Sequence, residues 1–279
     1  MMKKLVLLLS VVSSLLIFPG SAQAGRRPYL VGYDTPMVAD GDVELETWLD
    51  LVRAPKPDEG EPRGESQWRY WLGPRWSPYD GVEIAALAIW VQDLTREDGS
   101  AVTEFWGELL EARVRVFQHE TLGTAVVQLN FRIPITNDLP YQLSPSLNWM
   151  TRVGRLRLTA QGGYAHGWGV PDLKGTDVAG NPETIKGEDS DYEWIVWNGG
   201  AAVDVVRGEI STFVQLGVEG FGEHVLEGVN DLTDGKSTVN VGPTLSVAKG
   251  RLWFTGGALA GMTPDSPEVF VRGMTGIAF

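Results

Sequence analysis

The chain has 279 residues, no cysteine, and 36 Asp and Glu against 23 Lys and Arg, for a formal net charge of −13. Without cysteine there is no disulfide framework and no thiolate metal site, and the acidic balance argues against nucleic acid, which needs a basic footprint. Beyond Phe18 no apolar run reaches the roughly 20 residues of a membrane-crossing helix. A membrane-embedded form must therefore be a closed barrel, because only helices and closed barrels satisfy every backbone polar group in lipid.

At the N-terminus, Lys3 and Lys4 precede an apolar stretch from Leu5 to Phe18. Pro19 and Gly20 break that stretch, and Ala22-Gln23-Ala24 follows as a small-x-small site. This pattern predicts a secretory signal peptide over 1–24, cut before Gly25 and without the cysteine of a lipid anchor. Residues 1–24 carry two lysines and no acid, so their removal moves the formal charge from −13 to −15. The remainder is long for an average domain and ordinary for one all-β barrel.

After Gly41 the apolar period is two. In Thr124 to Ile133, Ala125, Val127, Leu129, Phe131 and Ile133 share one face, and Val126, Gln128, Asn130 and Arg132 the other. Such alternation predicts a strand with one apolar and one wet face. The same reading places strands near 42–52, 66–76, 82–92, 102–116, 124–133, 141–152 and 155–166. Five more follow near 191–205, 209–220, 237–248, 251–261 and 268–279. Most approach the roughly 9–11 residues that cross a bilayer when tilted. On the third strand both faces are apolar. On the fourth, the better lipid face is Trp106, Leu110, Ala112, Val114 and Val116, which leaves Glu108 outside and predicts a bulge.

Connections alternate in length. Short turns are expected at Ser77 to Gly81, Phe117 to Gly123, Val153-Gly154, Val206 to Gly208 and Lys249-Gly250. Longer polar loops are expected at Arg53 to Glu65, Asp93 to Ala101, Pro134 to Pro140, Gly167 to Ser190, Phe221 to Lys236 and Met262 to Pro267. An even strand count with short turns on one side is the bacterial outer-membrane pattern, with the short side and both termini periplasmic.

The last segment, Val269 to Phe279, puts Val269, Val271, Gly273, Thr275, Ile277 and Phe279 on one face and Phe270, Arg272, Met274 and Gly276 on the other. With the N-terminal signal, this segment resembles Gram-negative outer-membrane β-barrel proteins, among them the small porin-like or transporter-like barrels of unknown substrate. The stretch Asn240 to Gly261 is similar to their penultimate hairpins. The resemblance implies that Phe279 is an assembly signal read by the outer-membrane barrel assembly machinery. It also implies outer-membrane lipid as the surroundings and the cell outer membrane as the location.

The fold expected is therefore all-β: a transmembrane antiparallel up-and-down β-barrel of about 12 strands over 42–279. Residues 25–41 are expected as a periplasmic segment or partial plug. Aromatic residues support a lipid-embedded barrel, because amphipathic rings prefer the two interfaces. Trp76, Tyr79, Phe117, Trp149 and Phe279 fall near the short turns. Trp68, Trp90, Tyr141, Tyr164, Trp168, Tyr192 and Trp194 fall near the long loops. A soluble barrel would instead turn its apolar face inward.

Chemistry is sparse. His119, His166 and His224 lie in separate segments. The serines most open to an esterase reading, Ser144 and Ser146 with Asn148, have no His at a spacing that presents a base. The loop acids Glu188, Asp189, Asp191, Asp231 and Asp234 match no ordered calcium loop. No catalytic residue, metal or cofactor is expected, and no enzyme.

The wet face carries more information. Glu44, Glu46 and Asp50 on the first strand, Arg69 on the second, and Arg113, Arg115, Arg132, Arg152, Arg157 and Arg272 on later strands cannot face lipid cheaply. They are the expected lumen lining. Two arrangements are open. Acids on the first strand can pair with Arg272 or Arg69 and seal the lumen, or Arg113, Arg115, Arg152 and Arg157 can form a basic constriction near the periplasmic mouth. The first predicts a structural or surface-interaction barrel. The second predicts a passive channel or transporter for small polar or amphiphilic solutes, the main expectation here.

Overall fold

The computed structural model describes residues 35–54, 66–94, 103–135, 140–169, 173–176, 182–185, 192–207, 212–227 and 235–279. The expected signal segment 1–24 and the loop acids named above lie outside them. The strands are β1 Val43–Arg53, β2 Gln67–Tyr79, β3 Val82–Asp93, β4 Thr103–His119, β5 Gly123–Pro134, β6 Tyr141–Val153 and β7 Leu156–Trp168. Then come β8 Leu173–Thr176, β9 Pro182–Ile185, β10 Tyr192–Arg207, β11 Thr212–Glu227, β12 Ser237–Lys249, β13 Leu252–Gly261 and β14 Val269–Ala278. Twelve of them close a barrel in which each strand pairs antiparallel with its neighbours, and β8 and β9 pair with each other inside the connection from β7 to β10.

Closure is made by the two ends of the barrel sequence. β14 lies against β1 with Leu45 opposite Ile277 and Asp50 opposite Arg272. The Phe279 N–H donates to the Val43 carbonyl at 2.8 Å, carrying the ladder to the final residue. Closure leaves no edge strand with unpaired N–H and C=O groups, as a barrel in lipid requires.

The two faces sort as the alternation predicts. On β1, Glu44, Glu46, Trp48 and Asp50 are buried and Val43, Leu45 and Leu49 exposed. On β5, Val126 and Gln128 are buried and Val127 and Leu129 exposed. In a closed barrel the buried face is the inside, so the apolar residues form the outer surface. The ambiguous third strand resolves the same way: Glu83, Ala85, Leu87, Ile89 and Val91 point inward, and Ile84 outward. Because Leu129 lies on the outer band, Leu129→Arg is expected to lower stability by about 2–4 kcal/mol near the bilayer midplane. Equilibrium unfolding of the variant in lipid vesicles measures that loss.

Tight turns depend on glycine at positive φ, a backbone region other residues rarely adopt. Gly154 (φ 61°) and Gly250 (φ 62°) occupy two-residue turns after β6 and β12, with Val153 opposite Leu156 and Lys249 opposite Leu252. The long connections gather at the other end.

Four expectations are corrected. Trp106 does not face lipid. Ile89 opposes Gly107 while Trp90 opposes Phe105, so Trp106 is the extra residue of a β-bulge and turns inward. Gly107 permits the bulge, since a Cβ there would lie 2.2 Å from the Ile133 carbonyl oxygen. Glu108 stays on the outer face, as expected, beyond the bulge. Tyr192 and Trp194 also leave the outer girdle. Their partners on β7, Gly167 and Ala165, are inward positions, and the Tyr192 ring lies on Gly167. β11 continues through Phe221 to Glu227, where a loop was expected, because Phe221 and Glu223 keep pairing with β10 and β12 and Val225 with β10. Lastly, the connection from β7 to β10 contains the β8–β9 hairpin.

Candidate functional site: the barrel lumen

All ten charged residues singled out from the sequence sit on inward positions of their strands. They do not act as one group. The strongest assembly is built around Arg75, which sequence reasoning missed although it shares a face with Arg69 at an even spacing. The Arg75 guanidinium reaches three carboxylates on three strands. It donates to Glu46 at 2.9 Å and 3.3 Å, to Glu83 at 2.5 Å, and to Glu111. Arg113 adds a second bond to Glu83 at 2.7 Å, and the Gln128 amide donates to Glu111 at 3.1 Å. These side chains are all essentially inaccessible to solvent. Desolvating so many charges is expensive, and the arrangement holds only because each charge meets several partners of opposite sign or complementary hydrogen-bonding groups.

A second assembly crosses the closure seam. Arg272 donates to both carboxylate oxygens of Asp50 at 2.6 Å, and Trp71 Nε1 donates to the same carboxylate at 3.2 Å. The Arg272 guanidinium carbon is 5.0 Å from the ring centres of both Trp48 and Phe270. Of the pairings expected on the first strand, Asp50 with Arg272 is present. Arg69 donates to Gln67 and lies 5.8 Å over the Trp106 ring.

The arginines of the expected basic constriction are each engaged or buried. Arg113 pairs with Glu83, Arg115 with Asp80 at 3.1 Å, and Arg152 with Asp204, while Arg157 is buried at the start of β7. Arg132 faces the lumen higher on β5, next to Leu109 of β4. Glu44 lies buried beside the Trp253 indole, and both would crowd a side chain at Gly276. Around these charges runs an apolar cluster with Trp48, Leu87, Ile89, Leu109, Phe213, Trp253 and Met274, joined by Trp71 and Trp106.

The chain just before β1 enters this region at the short-turn end. Thr35 and Val38 are buried. The Val38 N–H donates to Glu83 Oε2 at 2.8 Å, and Arg113 donates to the Pro36 carbonyl at 3.4 Å. Residues 35–38 are therefore tied to the same carboxylate that holds Arg75 and Arg113.

Ser144, Ser146 and Asn148 also face the lumen. Ser144 accepts from Gln142 at 2.7 Å, Ser146 accepts from Gln161 at 3.3 Å, and Asn148 donates to Gln128 at 3.3 Å. His166 and His224 take outward positions on β7 and β11, and His119 bonds within its own turn. None of the three is presented to these serines.

A closed twelve-stranded barrel with an apolar outer wall and a charged, polar inner wall is the architecture of Gram-negative outer-membrane barrels. Solved structures share the fold. An outer membrane channel from Pseudomonas putida F1 superposes with a TM-score of 0.61 at 8% identity, covering 90% of this chain and 100% of that one. The NanC porin superposes with a TM-score of 0.50 at 6% identity, covering 85% and 98%. No protein-family model matches the chain, and no curated protein does.

Proposed function

We propose that this protein is an outer-membrane channel for small polar or amphiphilic solutes, exported through a cleaved signal. The observation that carries the reading is the state of the inner wall. Both polar ends of Gln215 and of Asn240, and the Thr244 hydroxyl, have no hydrogen-bond partner among the described residues although all three side chains are buried. A buried polar group left unmade costs about 1–3 kcal/mol, so a permanently dry core would not be built this way. A lumen that widens and admits water satisfies those groups. The fold shared with a porin and an outer membrane channel supports the same reading.

A second reading, a sealed surface barrel, is favoured by one observation. The Arg75 network and residues 35–38 fill the waist at the short-turn end. Planar-bilayer conductance of the refolded chain separates the two, after heat-modifiable gel mobility has confirmed a folded barrel. Discrete ion-conducting steps are expected. A shifted band with conductance equal to protein-free bilayers would favour the sealed barrel and overturn the channel.

A further inference from the structure

The lumen has two unlike walls. Across β14, β1, β2, β3 and β4, the two ion-pair assemblies and much of the apolar cluster lock side chains against one another. Inward glycines on that side, at 73, 107 and 276, are buried. The opposite wall, from β5 to β7 and β10 to β12, is lined mainly by uncharged amides, hydroxyls and small residues. Of its inward glycines, those at 163, 200, 217 and 242 remain half-buried, while Gly167 is covered by the Tyr192 ring. The orphaned Gln215, Asn240 and Thr244 side chains lie here too. Gln215 opposes Ser246, and Gly217 opposes Thr244, on the adjacent strands β11 and β12. The Thr244 hydroxyl oxygen would lie 2.8 Å from a Cβ at Gly217, so it points into the space that glycine leaves.

Resting on the channel reading, we infer that the solute path follows this glycine and amide wall and selects small, uncharged, polyhydroxylated solutes. Each amide offers a donor and an acceptor, and each hydroxyl does both. A polyol matches that pattern with its own hydroxyls and replaces water group for group. An ion gains less here, because the acids on this wall are already engaged. Asp204 pairs with Arg152, Glu219 accepts from Asn198 at 2.5 Å, and the inward Glu223 is balanced electrostatically by Arg132 on the same wall and Arg69 on the facing one. Stripping water from a charge without a free counter-charge is costly, whereas exchanging one neutral hydrogen bond for another is nearly neutral. The bare glycines give the width, and the unpartnered amides give the selection.

The test uses vesicles containing the refolded chain, 25–279, checked for heat-modifiable mobility. Influx of sorbitol is compared with that of gluconate, an anion of similar size. Sorbitol is expected to enter faster. Gln215→Leu with Thr244→Val, which keeps volume and removes the hydrogen-bonding atoms, is expected to lower the sorbitol-to-gluconate ratio by about tenfold, the effect of roughly one lost hydrogen bond. Gly217→Ala is expected to slow both solutes by narrowing the path. Equal entry of both solutes, or an unchanged ratio in the double variant, overturns this inference and leaves the channel standing. No conductance from a folded barrel overturns the channel itself.

Discussion

Arg75→Leu is expected to lower the stability of the barrel by about 3–5 kcal/mol, the cost of breaking a buried ion cluster from one side. The variant removes a cation that touches Glu46, Glu83 and Glu111 together. Arg113 still covers Glu83, but Glu46 and Glu111 lose the Arg75 guanidinium in a site closed to solvent. Leucine fills part of the volume and offers no hydrogen bond. Urea unfolding in detergent, read by gel mobility without heating, measures the loss. Changing Glu46 and Glu111 to Gln in the Arg75→Leu background should recover much of it, because a neutral amide costs far less to bury than a carboxylate that has lost a counter-charge. Arg69→Leu provides the contrast, with an expected loss of about 1 kcal/mol, since Arg69 is half-buried and its hydrogen bonds among the described residues go to Gln67. Equal unfolding midpoints for Arg75→Leu and the parent would show that the cluster does not hold the waist together.

The contrast between Arg69 and Arg75 also shows where sequence reading stops. Alternation has a period of two and assigns a face to every residue of a regular strand. It therefore placed Glu44, Glu46, Asp50, Arg132 and Arg272 inside without any knowledge of neighbours. The same parity puts Arg75 on the face of Arg69. Pro74 and the nearby aromatics Trp71 and Trp76 obscure that strand, and its charged face is not obvious from composition. Which charges meet is a matter of register between strands distant in sequence. Only the seam was predictable, because closure forces first and last strands together, and Asp50 with Arg272 is one of the pairings that closure allows. The bulge at Trp106 and Gly107 was signalled by Glu108 on a lipid face. Its position was not, because one extra residue reverses the side of everything on its far end. Tyr192 and Trp194 were placed by their distance from a loop, which says nothing about face. Their stacked rings, 4.6 Å apart, cover inward positions beside Gly167.

For the proposed channel, Glu83→Ala is expected to raise the open fraction by about tenfold or more. Glu83 is the point where the segment before β1 joins the buried network. One carboxylate oxygen accepts from Val38 N–H at 2.8 Å, and the other from Arg75 and Arg113 at 2.5 Å and 2.7 Å. Losing that carboxylate frees the Val38 amide and removes an acid that fixes Arg113, which in turn holds the Pro36 carbonyl. Arg75 keeps Glu46 and Glu111, so the barrel wall survives the change. A hydrogen bond to a charged acceptor contributes about 1.5–3 kcal/mol, and each 1.4 kcal/mol is about a tenfold change in the balance of states. Removing residues 25–38 should open the same mouth by a different route. If the segment is the stopper, the two changes are not additive: Glu83→Ala has little further effect once the segment is gone. Single-channel recordings of the four chains decide it. Equal increments in both backgrounds would mean that the network closes the waist alone and that residues 35–38 merely rest on it.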